Sequence, residues 1–484
     1  MTINNNKLLS KYLSMPIQVR ASLWFLICGI LQNGLSIITL PIFTRVLNSE
    51  QYGLSSTFFA WTDIVVVFAT LRLSYGAVDK GLIKFEKNRD GFISSMLGLS
   101  TTVSLIALSV FLLFHVWIEK LTEMPFVLCL AMFAYQIFSP SLMLWMARNK
   151  FELQYKAFAI VTVSTSILCT LLNLFAVLTL PYDRGLTKIL SYEAIWSIVN
   201  ILVYIYIFIK GKTFYNKGVW KFALAYNVPL IPYFLSTIIM DKADRVMINS
   251  MVGMKYVAYY SVAYNLGRLM VLLTAAIDAT FTPWMYQKFK NREFNLCKSI
   301  TFSIVVAFMG VATLFMLFAP ELIKIFASSE YAEAIYVIPP VVASYLFVCM
   351  YSLISKVEFY FEKSKVIAAI TIICAAINIG LNYVGIKMFG YIAASYTTLI
   401  CYILTAIVHS LYSKRILKDE KVQTDIFPWK GFSILGLAMI GLCVLVSELY
   451  RLVIIRYMII CGIIIVMIIK RNDIINLIKS IKNR

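Results

Sequence analysis

Charge is scarce in this chain. Only 14% of its 484 residues are charged, against roughly 25% in an average soluble domain, and 61% are hydrophobic. That balance excludes a soluble globular fold. Histidine is nearly missing. His115 and His409 each stand alone near the end of an apolar run, which leaves little for histidine-based catalysis or metal binding. The nine cysteines show neither CxxC nor zinc spacing, and most, such as Cys28, Cys129 and Cys374, lie inside apolar runs. They read as small buried apolar residues rather than disulfides or metal ligands. No metal site and no cofactor is expected. No Gly- or Ser-rich linker interrupts the chain, and no connecting loop is long enough to fold alone. The P-loop pattern GxxxxGK[ST] is absent, so ATP hydrolysis is not expected of this chain.

What fills the sequence instead is a series of long apolar runs, about fourteen of them, each near the ~20 residues that a bilayer-spanning helix needs. They lie at 21–43, 53–72, 94–117, 124–145, 157–180, 189–209, 220–240, 256–282, 299–318, 334–354, 366–386, 389–411, 432–449 and 452–469. The spacing predicts an all-α polytopic membrane protein. The first run is too long for a signal-peptide core and lacks a cleavage site after it, so it reads as a retained helix. The net charge of +20 invites a nucleic-acid reading, but the distribution argues for topology. With the N-terminus in the cytoplasm, most Lys and Arg fall in cytoplasmic segments, for example Lys80, Lys84, Lys87 and Arg89 after the second run and Lys288, Lys290 and Arg292 after the eighth. That is the positive-inside bias of a multi-pass membrane protein. An even number of spans returns the basic C-terminus to the cytoplasm. No nucleic-acid partner is expected.

The runs form two related halves. A shift of 200 brings Ser36, Ile38, Arg45, Val46 and Gly53 onto Ser236, Ile238, Arg245, Val246 and Gly253, and a shift of 205 brings Asn173 and Gly185 onto Asn378 and Gly390. Helices one to six thus match helices seven to twelve as parallel repeats, with two helices appended. The expected organisation is a first lobe over 1–212, a second over 213–412, and helices thirteen and fourteen with a basic tail over 413–484. In transporters with internal repeats the substrate site lies between the repeats.

Three stretches carry a family resemblance. Leu40-Pro41-Ile42-Phe43-Thr44-Arg45-Val46-Leu47 with Glu50-Gln51-Tyr52-Gly53 resembles the opening signature of Wzx-type polysaccharide repeat-unit flippases. Asp244-Arg245-Val246-Met247-Ile248 followed by Tyr260-Ser261-Val262-Ala263-Tyr264 resembles the start of their second half. Asn378-Ile379-Gly380-Leu381-Asn382-Tyr383 with Phe389-Gly390-Tyr391-Ile392-Ala393-Ala394 is similar to their eleventh-to-twelfth helix segment. The resemblance covers residues 20 to 412 and departs at Ala258, where the family's second half usually has glycine. It implies the fold of the multidrug/oligosaccharidyl-lipid/polysaccharide (MOP) exporter superfamily, two six-helix lobes around a central cavity. It also implies a non-enzymatic flippase that turns an undecaprenyl-diphosphate-linked oligosaccharide from the inner to the outer leaflet for surface polysaccharide assembly. A polysaccharide polymerase and a chain-length regulator are its implied partners.

Ionisable groups inside spans cost roughly 2.5–3.5 kcal/mol on insertion scales and usually face a partner or a wet cavity. Asp63, Arg72, Arg268 and Asp278 are such groups, and the 205 offset sets Asp63 opposite Arg268 and Arg72 beside the equivalent of Asp278. The expectation is an inter-lobe charge pair, Asp63 with Arg268, that forms and breaks during transport. Exchanging the two charges tests it. Arg268 also suits a lipid diphosphate, because its guanidinium fork matches phosphate oxygens, and Asn265 shares its helical face. The competing reading makes Arg72 a snorkelling headgroup anchor, and Arg268 with Asp278 fixed structural pairs. Nine residues of helix turn about 900°, so Asp63 and Arg72 cannot line one cavity without a bend. On the outer side Arg45 and Arg245 are candidates for phosphate or sugar, with a surface salt-bridge cluster of Asp241, Lys242, Asp244 and Arg245 as the alternative. Lys356, Glu358, Glu362 and Lys363 read as a solvated face. Pro229 and Pro232 are the hinge candidates of helix seven, since each proline removes a backbone donor. Tyr260 and Tyr264 are candidate sugar-stacking residues, and Asn378 and Asn382 read as interhelical joints.

Three alternatives to the repeat-unit flippase stay open. They are an ion-coupled multidrug or cation antiporter of the same fold, a lipid II flippase, and a membrane glycosyltransferase or polymerase. The last is disfavoured by short outer loops. Drive is expected from a coupling ion, H+ or Na+, or from removal of product.

Overall fold

The fold is that of a computed structural model in which residues 12, 14–422 and 425–469 are described. Residues 1–11 and the basic segment from Lys470 to Arg484, expected in the cytoplasm, lie outside the described residues. Those described form nineteen α-helices joined by short turns, without a β-strand. Thirteen helical segments are long and apolar enough to cross a membrane, and Val453–Ile465 is a shorter apolar one. They follow the order of the predicted runs.

The chain divides into two compact units, Met1–Ile238 and Ile239–Arg484. The first contains α1 (Ile17–Val46), α2 (Ser49–Thr70), α3 (Ala77–Lys84), α4 (Arg89–Thr122), α5 (Phe126–Phe138), α6 (Pro140–Phe151), α7 (Tyr155–Thr179), α8 (Arg184–Gly211) and α9 (Lys217–Asn227). The boundary falls inside α10 (Ile231–Met251). The second unit continues with α11 (Met254–Gly267), α12 (Met270–Lys290), α13 (Phe294–Leu317), α14 (Ala319–Phe326), α15 (Ile338–Tyr360), α16 (Ser364–Phe389), α17 (Ala393–Asp419), α18 (Trp429–Leu449) and α19 (Val453–Ile469).

Local sequence accounts for the helix ends. Asn48 and Gln51 form a reciprocal capping box at the start of α2: the Asn48 side chain accepts from Gln51 N at 2.8 Å, and Gln51 Oε1 accepts from Asn48 N at 3.2 Å. Orphan donors of the first turn are satisfied this way. Gln51 also donates to Asp183 at 2.7 Å, and Asp183 caps α8 by accepting from Leu186 N at 2.9 Å. The motif after the first helix is therefore a set of caps that tie α2 to α8. The two repeats share a detail here. Arg45 Nη1 donates to the carbonyl of Pro41 at 2.9 Å, and Arg245 Nη1 donates to that of Asp241 at 2.8 Å, so both arginines close the same turn.

Three predicted spans are broken, the fourth span at Ser139, between α5 and α6. The segment Lys217–Met251 is interrupted by a 3-10 turn at Val228–Leu230, which holds Pro229, while Pro232 sits in the first turn of α10. A proline cannot donate to the preceding turn, and its ring crowds it. The eighth span breaks at Arg268–Leu269, between α11 and α12. The segment before the 3-10 turn packs within the first unit, although the sequence repeat grouped it with the second lobe. Val219 and Ala223 are buried in one cluster with Leu97 and Phe92, and Trp220 Nε1 donates to the Ser95 carbonyl at 3.0 Å.

Core and lipid-facing positions differ in kind. The first unit buries Phe58, Phe111, Leu128, Met132 and Ile189 together, while Leu113, Val116 and Phe175 stand exposed, as suits side chains solvated by hydrocarbon. In the second unit α15 is almost wholly buried, packed along α17. Its small residues Ala343, Ser344, Ser352 and Ser355 allow the close helix approach that membrane interfaces favour.

Candidate functional site

The first unit holds a cavity of about 440 Å³. α2 contributes Thr62, Asp63 and Val66, and α5 contributes Tyr135 and Gln136. α8 contributes Tyr192, Trp196 and Asn200, and the turn after α2 contributes Arg72 and Tyr75. Asp63 and Arg72 share this cavity because the chain bends between them. α2 ends at Thr70, and Leu71 and Arg72 both take left-handed backbone conformations, with φ of 50° and 45°. Such conformations are costly for residues with a Cβ, so the turn needs an outside clamp. The buried side chain of Asn227 supplies it, donating to the carbonyls of Leu71 and Arg72 at 3.0 Å each and of Tyr75 at 3.2 Å, and accepting from Ala77 N at 3.2 Å. Gly76, at φ +76°, closes the turn. The Arg72 guanidinium lies over the rings of Tyr75 at 4.8 Å and Phe234 at 5.9 Å, a cation–π arrangement. Arg72 lines the cavity.

The cavity wall carries buried polar groups. Asn200 donates to the Trp196 carbonyl at 2.8 Å. The Gln136 carbonyl oxygen accepts from Ser139 at 3.0 Å, but its Nε2 meets no protein acceptor. Behind the wall Glu193 is 4% exposed, and neither carboxyl oxygen meets a protein donor.

In the second unit the charged side chains are partnered. The carboxylate of Asp241 accepts from the Tyr264 hydroxyl at 3.1 Å and lies 3.4 Å from Lys242 Nζ and 3.6 Å from Arg268 Nη1. Arg268 sits at the break between α11 and α12, with its side chain 45% exposed, and Asn265, three residues earlier, is exposed on the same face. Within this unit Asp241 is the carboxylate beside Arg268. Asp63 belongs to the first unit, so each is described with its own neighbours.

Asp244 is fully buried. It accepts from the Tyr260 hydroxyl, from Asn382 Nδ2 at 2.6 Å and from Thr398 Oγ1 at 3.1 Å. Asn382 also donates to Asn378 Oδ1 at 3.1 Å, so both asparagines join helices. Arg245 is buried, donates to Ser261 Oγ at 3.2 Å and lies over the Tyr264 ring at 4.7 Å. The expected surface cluster is therefore not a surface for Asp244 and Arg245, because neighbouring helices supply their partners. Arg45, the equivalent in the first repeat, is exposed. Tyr260 and Tyr264 are buried between helices, which leaves no ring face for a sugar.

Asp278 is held by Lys356 Nζ at 3.1 Å and by Ser352 Oγ at 2.6 Å. Glu358 is fully buried, bonded to His409 Nδ1 at 2.8 Å and accepting from Ser413 Oγ at 3.1 Å. The solvated face predicted for Lys356 and Glu358 is corrected by these contacts. Glu362 and Lys363, beyond the end of α15, are exposed. Among the described residues no three His, Cys, Asp or Glu side chains come together as a metal site.

A family model described as polysaccharide biosynthesis protein matches residues 19–289, more than half of the chain. The chain belongs to that family. The match covers every residue of the first unit's cavity and reaches Asp241, Asp244, Arg268 and Asp278. A curated relative, the "Probable low-salt glycan biosynthesis flippase Agl15" of Haloferax volcanii, is 22% identical over 421 residues, covering 81% of this chain and 83% of that protein. Among solved structures, the lipid II flippase MurJ in an inward closed conformation aligns with a TM-score of 0.67 at 15% identity, over 94% of this chain and 100% of that one. An inward-facing multidrug resistance MATE family transporter of the MOP superfamily aligns at 0.58 with 16% identity, over 84% and 96%. These likenesses establish a shared fold, the one adopted by those two solved proteins.

Two features of this family member were passed over among the candidate residues drawn from the sequence. Glu193 lies inside the apolar run 189–209, so its place in the membrane was legible. The pairing of Glu358 with His409 joins residues 51 positions apart, and no local spacing signals it.

Proposed function

We propose that the chain is a flippase for an undecaprenyl-diphosphate-linked oligosaccharide repeat unit, moving it from the cytoplasmic to the outer leaflet of the bacterial inner membrane for surface polysaccharide assembly. The observation that carries this reading is the chemistry of the first unit's cavity. Its volume falls in the ~300–1,000 Å³ range of small-molecule sites. Tyr135, Tyr192 and Trp196 offer ring faces for sugars, while Asp63, Gln136 and Asn200 offer hydrogen-bonding groups for hydroxyls. Arg72 is its one lining cation among the described residues, and it suits a phosphate or an acidic sugar. In the second unit, half-exposed Arg268 with Asn265 beside it is the assigned diphosphate contact, and Asp241 holds the guanidinium in place between substrates. Arg45 and Arg245 are assigned to the exit side, Asp278 to the second unit's ionic framework, and Pro229 with Pro232 to bending of the seventh span.

Transport without ATP hydrolysis calls for another drive, an ion gradient of H+ or Na+ or removal of product by a polymerase and its chain-length regulator. Both termini are assigned to the cytoplasm on the positive-inside bias. The likeness to MurJ keeps lipid II as a second substrate class on the same fold. Deletion of the gene, followed by assay of which lipid-linked glycan accumulates on the inner leaflet, separates the two. A repeat-unit intermediate is expected. Accumulation of lipid II, or of no glycan, overturns the repeat-unit reading.

A further inference from the structure

We propose that Glu193 is the proton-carrying group of this transporter, a carboxyl that is neutral in the structure described and exchanges its proton with water in the first unit's cavity during transport. The coupling rests on the transport reading above, whereas the protonated state of Glu193 does not.

Three observations carry the assignment. Glu193 is nearly sealed from solvent, and neither of its oxygens meets a protein donor. It lies directly behind the cavity: Trp196 and Asn200, three and seven residues on along α8, line that cavity and share its helical face, and Tyr192 beside it is a lining residue too. Among the described residues no cation pairs with it, because those on the surrounding helices are engaged elsewhere. On α8 itself, Lys188 donates to Ser55 Oγ at 2.8 Å and stands over the Phe43 and Tyr52 rings. From α6, Arg148 is bonded to Asp90 of α4 and to Glu152. Arg72 lies over Tyr75 and Phe234. The titratable groups that face Glu193 are Tyr135 from α5 and Tyr192 from α8, and Tyr192 in turn faces Cys169 from α7 and Asp63 from α2. The remaining titratable groups of α4 sit near its ends, as with His115 bonded to Glu119. A buried acid beside two phenols, without a protein donor or counter-ion, is favoured in its neutral form.

The step is a simple exchange. When the cavity wall at Tyr192 and Trp196 parts, the O–H bond of Glu193 breaks, its proton passes to cavity water, and the carboxylate is solvated by that water. Closure requires a proton to return, so each cycle between wet and dry states exchanges one proton with cavity water, and a proton crosses the membrane where release and uptake take place on opposite sides. Arg72 in the same cavity favours the ionised form while the site is wet, and it is also the lining cation assigned to the substrate. Proton loss and substrate binding thereby compete or cooperate through one guanidinium.

Infrared spectroscopy of the full-length protein in lipid bilayers tests the assignment. At neutral pH the wild type shows the carbonyl-stretch band of a protonated carboxylic acid. Glu193→Gln removes it, Asp63→Asn retains it, and Glu193→Asp, which keeps the acid, shifts it. The aspartate variant decides the matter should the glutamine variant not fold. A wild type without the band, a band unmoved by either substitution, or a band abolished by replacing potassium with sodium overturns the proposal, the last in favour of a cation site. In cells, a protonophore lowers glycan export by the wild type, and this sensitivity is lost in Glu193→Gln. Wild-type export indifferent to the protonophore overturns the coupling. Absence of any lipid-linked glycan phenotype on deletion fails the transport reading instead.

Discussion

The two units differ in how their buried carboxylates are held. In the second, Asp241, Asp244, Asp278 and Glu358 each meet named donors from neighbouring helices. In the first, Glu193 and the amide nitrogen of Gln136 meet no protein partner, and both belong to the cavity wall or the layer behind it. A buried charge with good partners fastens helices together, and removing one partner is costly. A buried polar group without partners is itself a cost. Buried carboxylates of the second unit thus clasp helices together, and Glu193 of the first does not.

That contrast can be broken by substitution, with thermal unfolding in lipid or detergent as the measure. The largest effect is expected from Asp244→Ala, which strands the donors of Tyr260, Asn382 and Thr398 in the interior and lowers stability by about 3–5 kcal/mol. Glu358→Leu leaves His409 and Ser413 without their acceptor and lowers stability by about 3 kcal/mol. Asn227→Ala releases the left-handed turn at Leu71 and Arg72, for a loss of about 1–3 kcal/mol, and it also weakens export because Arg72 then leaves the cavity. Arg268→Ala changes stability by less than about 1 kcal/mol, since its pair with Asp241 is half-exposed, yet it abolishes export measured by surface glycan staining. Glu193→Leu has a similarly small effect of opposite sign to Glu358→Leu, neutral or stabilising by about 1 kcal/mol. Equal losses for the two leucine variants would erase the distinction between the units.

Part of the site was readable along the chain. Asp63, Arg72, Arg268 and Asp278 stand out because an ionisable residue in an apolar run is rare, and the bend that Asp63 and Arg72 require to share a cavity follows from helical pitch alone. The device that produces the bend was not readable. It depends on Asn227, some 150 residues away, whose amide reaches the turn only because α9 packs beside it. Arg245 and Asp244 look like surface charges in sequence, next to Asp241 and Lys242 at a helix end. Their burial depends on α11, α16 and α17 bringing Ser261, Asn382 and Thr398 to them.

The sequence by itself determined that this is a multi-pass helical membrane protein. Those properties follow from local composition and periodicity: runs of apolar residues long enough to cross a bilayer must close their hydrogen bonds within each helix. Only the tertiary structure decided which intramembrane charges are partnered and which are exposed to a cavity. The partners of a buried carboxylate come from helices distant in the chain, and its energy is set by the few side chains within hydrogen-bonding reach.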